Sequence, residues 1–178
     1  MKIVSKILFS IPLFSILLSN SCRKQELPQS GHTGANTFGC YLNGKFWVPT
    51  GGGPFGNSTA GGFFGDPAGK RNIFIEAFAD PNYIHIYLKH ATNVGTYLLN
   101  QTTDVWPNNI FPESYGAYYT NGQTDYFVTD ALHTGSVTIT FADTTTGIVA
   151  GTFEMQLFRQ STNEVISVTK GRFDYSTH

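Results

Sequence analysis

The chain predicts an all-β domain of antiparallel strands, arranged as a β-sandwich or a flattened β-barrel. Three observations carry that expectation. Asn-Gly stands at Asn43-Gly44 and again at Asn121-Gly122, each time between two strand-like runs. Both residues of such a turn adopt φ > 0, which Asn and Gly tolerate and which matches the twist of a two-stranded hairpin. Apolar and polar residues alternate through most of the chain from Thr37 onward, as half-buried strands require. Outside the first 21 residues no window of helical length repeats its apolar positions with the period of an α-helix.

The strands follow in order. Residues 38–42 and 45–48 flank the first Asn-Gly turn, and 115–120 and 123–128 flank the second. Further runs rich in β-branched and aromatic residues lie at 72–78, 83–90, 95–99, 136–142, 148–158 and 164–174. Between 72–78 and 83–90 stands Asp80-Pro81, with Asp first and Pro second as type I and II turns favour. A short loop there aligns Ile73, Ile75 and Ala77 with Ile84, Ile86 and Leu88 on one aliphatic face, the core face. Phe74, Glu76 and Phe78 then share the opposite, aromatic face with Tyr83, His85 and Tyr87, and Glu76 lies opposite His85 or Tyr87.

Two stretches read as loops. Residues 51–69 are too rich in glycine for a regular strand and carry Phe55, Phe63 and Phe64, expected to fold back over a sheet end. Residues 102–113 hold Trp106-Pro107, Phe111 and Pro112. Gly151, inside the run 148–158, marks a bulge or a close backbone approach. Arg172 and Asp174 share a face and are expected to pair at the rim, and Gly171 ahead of them to let the last strand bend.

The chain begins differently. Lys2 and Lys6 precede an apolar run from Ile7 to Leu18, then Ser19, Asn20, Ser21 and Cys22. That is the layout of a secretory signal, and the run is short for a membrane span, which takes about 20 apolar residues. A cysteine directly after small residues resembles the lipobox of a bacterial lipoprotein, although Ser19 stands where Leu is usual and Leu18 is one position further back. The expectation is cleavage before Cys22 and acylation of its sulfur and new amino group, leaving a protein held by lipid at the outer membrane. A plain secretory signal cut near Ser21 is the alternative. The expected organisation is thus a signal at 1–21, the lipidated cysteine and a flexible tether at 22–36, and one β-domain at 37–178. After Cys22, Lys24 fits the surface-export tag of Bacteroidota lipoproteins, Gln25 departs from it and Glu26 is its only acid, so the periplasmic and cell-surface faces both stay open.

Composition excludes some function classes. Without residues 1–21 the chain has 9 basic and 12 acidic side chains and no basic stripe, so nucleic acid is not an expected partner. Charged residues make up 13% and aromatics 15%, which opposes disorder. With Cys22 lipidated, Cys40 is the one remaining thiol; it alternates with Phe38 and Leu42 and reads as a small buried hydrophobe. His32, His85, His90, His133 and His178 show no zinc spacing, and no acidic loop has calcium spacing, so neither cofactor nor metal is signalled. Gly51-Gly52-Gly53-Pro54-Phe55-Gly56 has the spacing G-x-G-x-x-G but lacks the helix that a dinucleotide site needs. Gly56-Asn57-Ser58 lacks the second glycine of a nucleophile elbow. Asp143-Thr144-Thr145 resembles the short O-glycosylation sequence of Bacteroidota exported proteins, which would place the sugar on Thr144.

Aromatic side chains are the functional lead. Trp47, Tyr83, Tyr87, Trp106, Tyr118 and Tyr119 offer flat rings, with Trp47 and Trp106 as candidate platforms and the loops 51–69 and 102–113 as candidate binding loops. Glu76 and His85 complete the candidate ligand-binding set, and no catalytic residue is assigned. The leading expectation is a non-catalytic binding or structural domain of the cell envelope, its partner a glycan or an envelope protein. One rival is a hydrolase of envelope or dietary polymers that uses His85 with Glu76; it requires them in a concave pocket with further polar groups converging. Another is a carrier of a small apolar ligand inside a barrel.

Four blocks carry a family likeness: Thr37 to Pro49, Gly135-Ser136-Val137-Thr138-Ile139-Thr140, Gly147 to Glu154, and Val168-Thr169-Lys170-Gly171-Arg172-Phe173-Asp174. Their order and spacing resemble a Bacteroidota lipoprotein family of unknown function. The resemblance implies an exported, lipid-anchored single β-domain and assigns no site residue.

Overall fold

The computed structural model describes residues 26–121 and 125–176. The signal at 1–21, Cys22, Gly122 of the second Asn-Gly turn and His178 lie outside the described residues. The strands are β1 (Thr37–Leu42), β2 (Lys45–Trp47), β3 (Thr59–Gly65), β4 (Arg71–Ala79), β5 (Asn82–Leu88), β6 (Gly95–Leu99), β7 (Tyr115–Thr120), β8 (Asp125–Val128), β9 (Gly135–Asp143), β10 (Ile148–Arg159) and β11 (Glu164–Ser176). Among the described residues one 3-10 turn, Pro54–Gly56, precedes β3. Every strand pairing is antiparallel, so the expected all-β class is the observed one.

The sheet runs β2-β1-β11-β10-β8-β7-β5-β4-β3 and curls into a half-barrel, the geometry of a sandwich or flattened barrel. β10 forks it: Ile148 to Met155 pair with β9, which carries β6, whereas Phe158 pairs with Val128 of β8. The aliphatic face of β4 and β5 looks inward. Ile73, Ile75, Ile84, Ile86 and Leu88 are completely buried there, each contributing roughly 1.5–3 kcal/mol relative to exposure. They join Phe38 and Cys40 of β1, Phe153 of β10 and Phe173 and Tyr175 of β11 in one core. Burial pushes the Cys40 thiol up to about 12, as befits a small core hydrophobe.

The register of β4 and β5 is the expected one: Ile75 opposes Ile86, Glu76 opposes His85 and Phe78 opposes Tyr83. The turn chemistry differs. Ala79 pairs with Asn82, so Asp80 and Pro81 form the two-residue loop, joined by a cis peptide. Pro81 thus occupies the third turn position, as in type VI turns, rather than the second.

Three further expectations are corrected. The Gly-rich stretch 51–69 is not all loop, because β3 within it pairs with β4 from Thr59–Ala77 to Gly65–Arg71. Its glycines serve a close approach: a Cβ on Gly61 would stand 3.2 Å from the Tyr175 ring. Arg172 and Asp174 do not pair with one another. Asp174 is buried and accepts from the Thr33 and Gly34 amides at 3.1 and 2.8 Å, while Arg172 donates to the Pro28 carbonyl. In consequence part of the segment read as a free tether lies against the sheet, with His32 stacked on Phe141 at 5.1 Å.

Register irregularities fall beside both Gly151 and Gly171. The β9–β10 register shifts between Ala150 and Gly151, and a Cβ on Gly151 would stand 2.3 Å from the Thr138 carbonyl. β11 carries an extra residue beside Gly171, where Lys170 takes φ 53°.

Candidate functional site

The outward face of β4, β5 and β7 is aromatic, and residues 100–114, which join β6 to β7, cross it. Val105 is buried among Tyr83, Tyr87, Tyr115 and Tyr119. Beside it the Trp106 backbone is held twice: its N–H donates to the Tyr115 hydroxyl, and its carbonyl accepts from the Tyr119 hydroxyl, each at 3.2 Å. Burial holds both phenols well above their ordinary pKa, so they stay protonated. At the loop end, Glu113 pairs with Lys89 at 2.5 Å, and the Ser114 hydroxyl accepts from the Lys89 amide.

The loop and the sheet enclose a cleft of about 380 Å³. Phe64 and Phe74 form one wall, Trp106, Ile110 and Pro112 the other, and Glu76, His85 and Tyr87 line it from the strands. Trp106 and Ile110 remain 41% and 63% exposed. Glu76 and His85, directly opposed in register, join through His85 Nδ1 and Glu76 Oε1 at 2.9 Å. The His85 ring stacks on Tyr115 with 5.4 Å between centroids. A carboxylate accepts, so Nδ1 carries a proton, and in the neutral form of the ring Nε2 then offers a lone pair. Burial, with the charges of Asp66 and Glu113, pushes the Tyr87 hydroxyl up to about 12, so it too stays a donor.

Two polar atoms here are orphans. His85 and Tyr87 are only 5% and 3% exposed, and among the described residues neither His85 Nε2 nor the Tyr87 hydroxyl has a hydrogen-bond partner. Buried polar groups are nearly always satisfied, by protein, ordered water or a ligand, so these two are the hydrogen-bonding positions that the protein itself leaves open beside the cleft.

The sequence-selected residues thus divide. Glu76, His85, Tyr87 and Trp106 meet at one cleft. Tyr83 lies next to it but stacks on Tyr119 at 4.4 Å and packs at a tilt against Phe78 at 5.5 Å. Trp47 sits elsewhere: it packs edge-on against Phe38 at 5.7 Å, on the inner core. Tyr118 also faces that core, against Phe127. The walls Phe64, Ile110 and Pro112 come from the two stretches expected to bind, although none of the three was among the individually selected ligand-binding residues. Phe64 lay in a run read as loop, although its neighbours Gly62 and Gly65 pair with Phe74 and Arg71.

Two other clefts are polar. One of about 680 Å³ borders Asp125, Asp130 and Arg159, whose charges are already engaged: Arg159 reaches Asp125 and Glu164, and Asp130 holds the Leu132 and His133 amides. The other, about 390 Å³, lies over β9, β10 and β11 beside Thr138, Glu154 and Lys170. Among the described residues no group of three or more His, Cys, Asp or Glu side chains is placed to hold a metal ion.

No curated protein and no solved structure matches this chain. Residues 68–175, which run from β4 into the end of β11 and include Glu76, His85, Tyr87 and Trp106, match the family described as Domain of unknown function (DUF6252), and the chain belongs to that family.

Proposed function

We propose that this protein is a lipid-anchored β-domain of the outer membrane, tethered through Cys22, that binds a ligand in the cleft beneath residues 100–114 without transforming it. The single observation that carries the binding reading is the orphan pair, His85 Nε2 and the Tyr87 hydroxyl, bordering an apolar cleft beside an exposed indole. A stability-only role gives no reason to keep two buried polar groups unmet. The anchor rests on the signal-like start and Cys22.

The rival hydrolase finds His85 and Glu76 in a concave site, but among the described lining residues only the Tyr87 hydroxyl and the Trp106 indole N–H add further polar groups. A hydrolytic site needs a nucleophile or a positioned water together with converging oxyanion donors, and walls of Phe64, Phe74, Ile110 and Pro112 add no such group.

Trp106→Ala tests the site. Capture of ligand by the folded domain should weaken, and capture unchanged would remove this cleft from consideration. Cys22→Ser tests the anchor, because it should move the protein from the membrane fraction to the soluble one. An impermeant protease on intact cells then separates the two faces: digestion means the cell surface, and protection until lysis means the periplasm.

A further inference from the structure

We infer that the cleft takes a neutral ligand with an apolar ring body and a single hydroxyl, a phenol or ring alcohol, whose hydroxyl donates to His85 Nε2 and accepts from the Tyr87 hydroxyl. The inference rests on the proposed binding role and adds the ligand's chemistry. In the neutral imidazole His85 Nε2, with Nδ1 committed to Glu76, is an acceptor; the protonated Tyr87 hydroxyl is a donor. A hydroxyl is the smallest group that answers both at once. The two residues stand at alternate positions of β5, on the same face of the sheet and beside the same cleft.

Other ligand classes fit less well. An anion would face Glu76 itself and the field of Asp66 and Glu113. A cation could lie on the aromatic walls, but the nearby carboxylates are already engaged, Glu76 by His85, Asp66 by His90 and Glu113 by Lys89. An ammonium also has no lone pair for the Tyr87 proton. A sugar brings several hydroxyls, and against Phe64, Phe74, Ile110 and Pro112 most of them would be buried without partners. A volume of about 380 Å³ holds one or two rings, at the small end of ligand pockets.

The chain has only two tryptophans, Trp47 on the inner core and Trp106 at the cleft, so 5-fluorotryptophan labelling provides a reporter and an internal control. The full chain, as its producing cells process it, would be titrated in micelles with p-cresol, toluene, 4-methylbenzylamine and methyl β-glucoside while the ¹⁹F spectrum is followed. The expected result is a shift of the Trp106 signal alone, with p-cresol binding about tenfold tighter than toluene, the worth of well-made buried hydrogen bonds. Tyr87→Phe should cut that advantage over toluene severalfold, since one of the two hydrogen bonds is lost. Equal binding of cresol and toluene, or tightest binding by the amine or the glucoside, would overturn the hydroxyl inference while leaving the cleft a binding site. No Trp106 shift with any of the four probes would overturn the inference and the binding role together.

Discussion

Tyr175 of β11 donates its hydroxyl to the backbone carbonyl of Glu76 in β4 at 2.9 Å, although four strands separate β11 from β4 along the sheet. The bond spans the interior of the curled sheet and ties the core to the strand that carries the candidate site. Glu76 is thereby held from both sides, its carbonyl by the core and its carboxylate by His85.

Tyr175→Phe should therefore lower stability by about 1 kcal/mol, the net worth of one hydrogen bond. Tyr175→Ala should cost about 3–5 kcal/mol, since it also empties a completely buried ring. Urea titrations should show midpoints shifted in that order with the slope unchanged for the Phe variant. Equal losses would mean that the hydroxyl, not the ring, closes the sheet.

Glycines separate close approaches from open ones. A Cβ on Gly171 would stand 2.5 Å from three atoms of the Phe153 ring, which is itself buried and has nowhere to go. Gly171→Ala should cost about 1–3 kcal/mol through overpacking. At Gly65 the nearest such atom is the Lys70 carbonyl oxygen at 4.0 Å, so Gly65→Ala should be neutral or mildly stabilising. Thermal melts of the two variants side by side check the contrast.

Much of this was legible because it is local. The pairing of Glu76 with His85 follows from a short Asp-Pro turn and strict alternation on both sides of it. β3 was not legible, because Gly61 and Gly62 have no side chains to alternate, and the ring that fills the space over Gly61 comes from Tyr175, more than a hundred residues on. Trp47 and Trp106 read alike in sequence, yet strand topology sends one to the inner face and leaves the other on the rim. Asp174 looked like a rim partner for Arg172 because facing is local, whereas its true donors, Thr33 and Gly34, lie 141 and 140 residues away.

Asp174→Ala should free the N-terminal segment. Removing the carboxylate leaves the Thr33 and Gly34 amides and the Thr33 hydroxyl without their acceptor, a loss of about 1–3 kcal/mol. Hydrogen exchange at those two amides should accelerate, and a protease should cut near residue 33 before the sheet unfolds. Unchanged exchange would mean that packing, not Asp174, holds the segment.

Acid should loosen the turn between β3 and β4. The Lys70 amide, above all, holds the Asp66 carboxyl below its ordinary value of 3.8, helped by His90 and the Ala68 amide. A carboxyl whose pKa is lowered by folding stabilises the fold fully above the unfolded value and loses that contribution as pH falls through the folded one. Unfolding measured from pH 5 down to about 2 should show a decline that Asp66→Asn reduces. An identical decline in the variant would assign the acid sensitivity to other carboxyls, of which Asp130 and Asp143, also lowered, are the first to test.

The loop over the cleft depends on two phenols. Tyr115 accepts from the Trp106 amide and Tyr119 donates to the Trp106 carbonyl, so both backbone groups of one residue are held in the middle of a connection of about 15 residues. Both rings are buried and stack within the aromatic face, His85 on Tyr115 and Tyr83 on Tyr119. Replacing both by Phe keeps that packing and removes only the anchors. Each lost bond is worth about 1 kcal/mol, so the domain should stay folded while exchange of the Trp106 amide rises by about tenfold or more. A folded double variant with Trp106 protection unchanged would show that Val105, buried against the same rings, is sufficient to hold the loop, and that the cleft's shape rests on apolar packing rather than on the tyrosine hydroxyls.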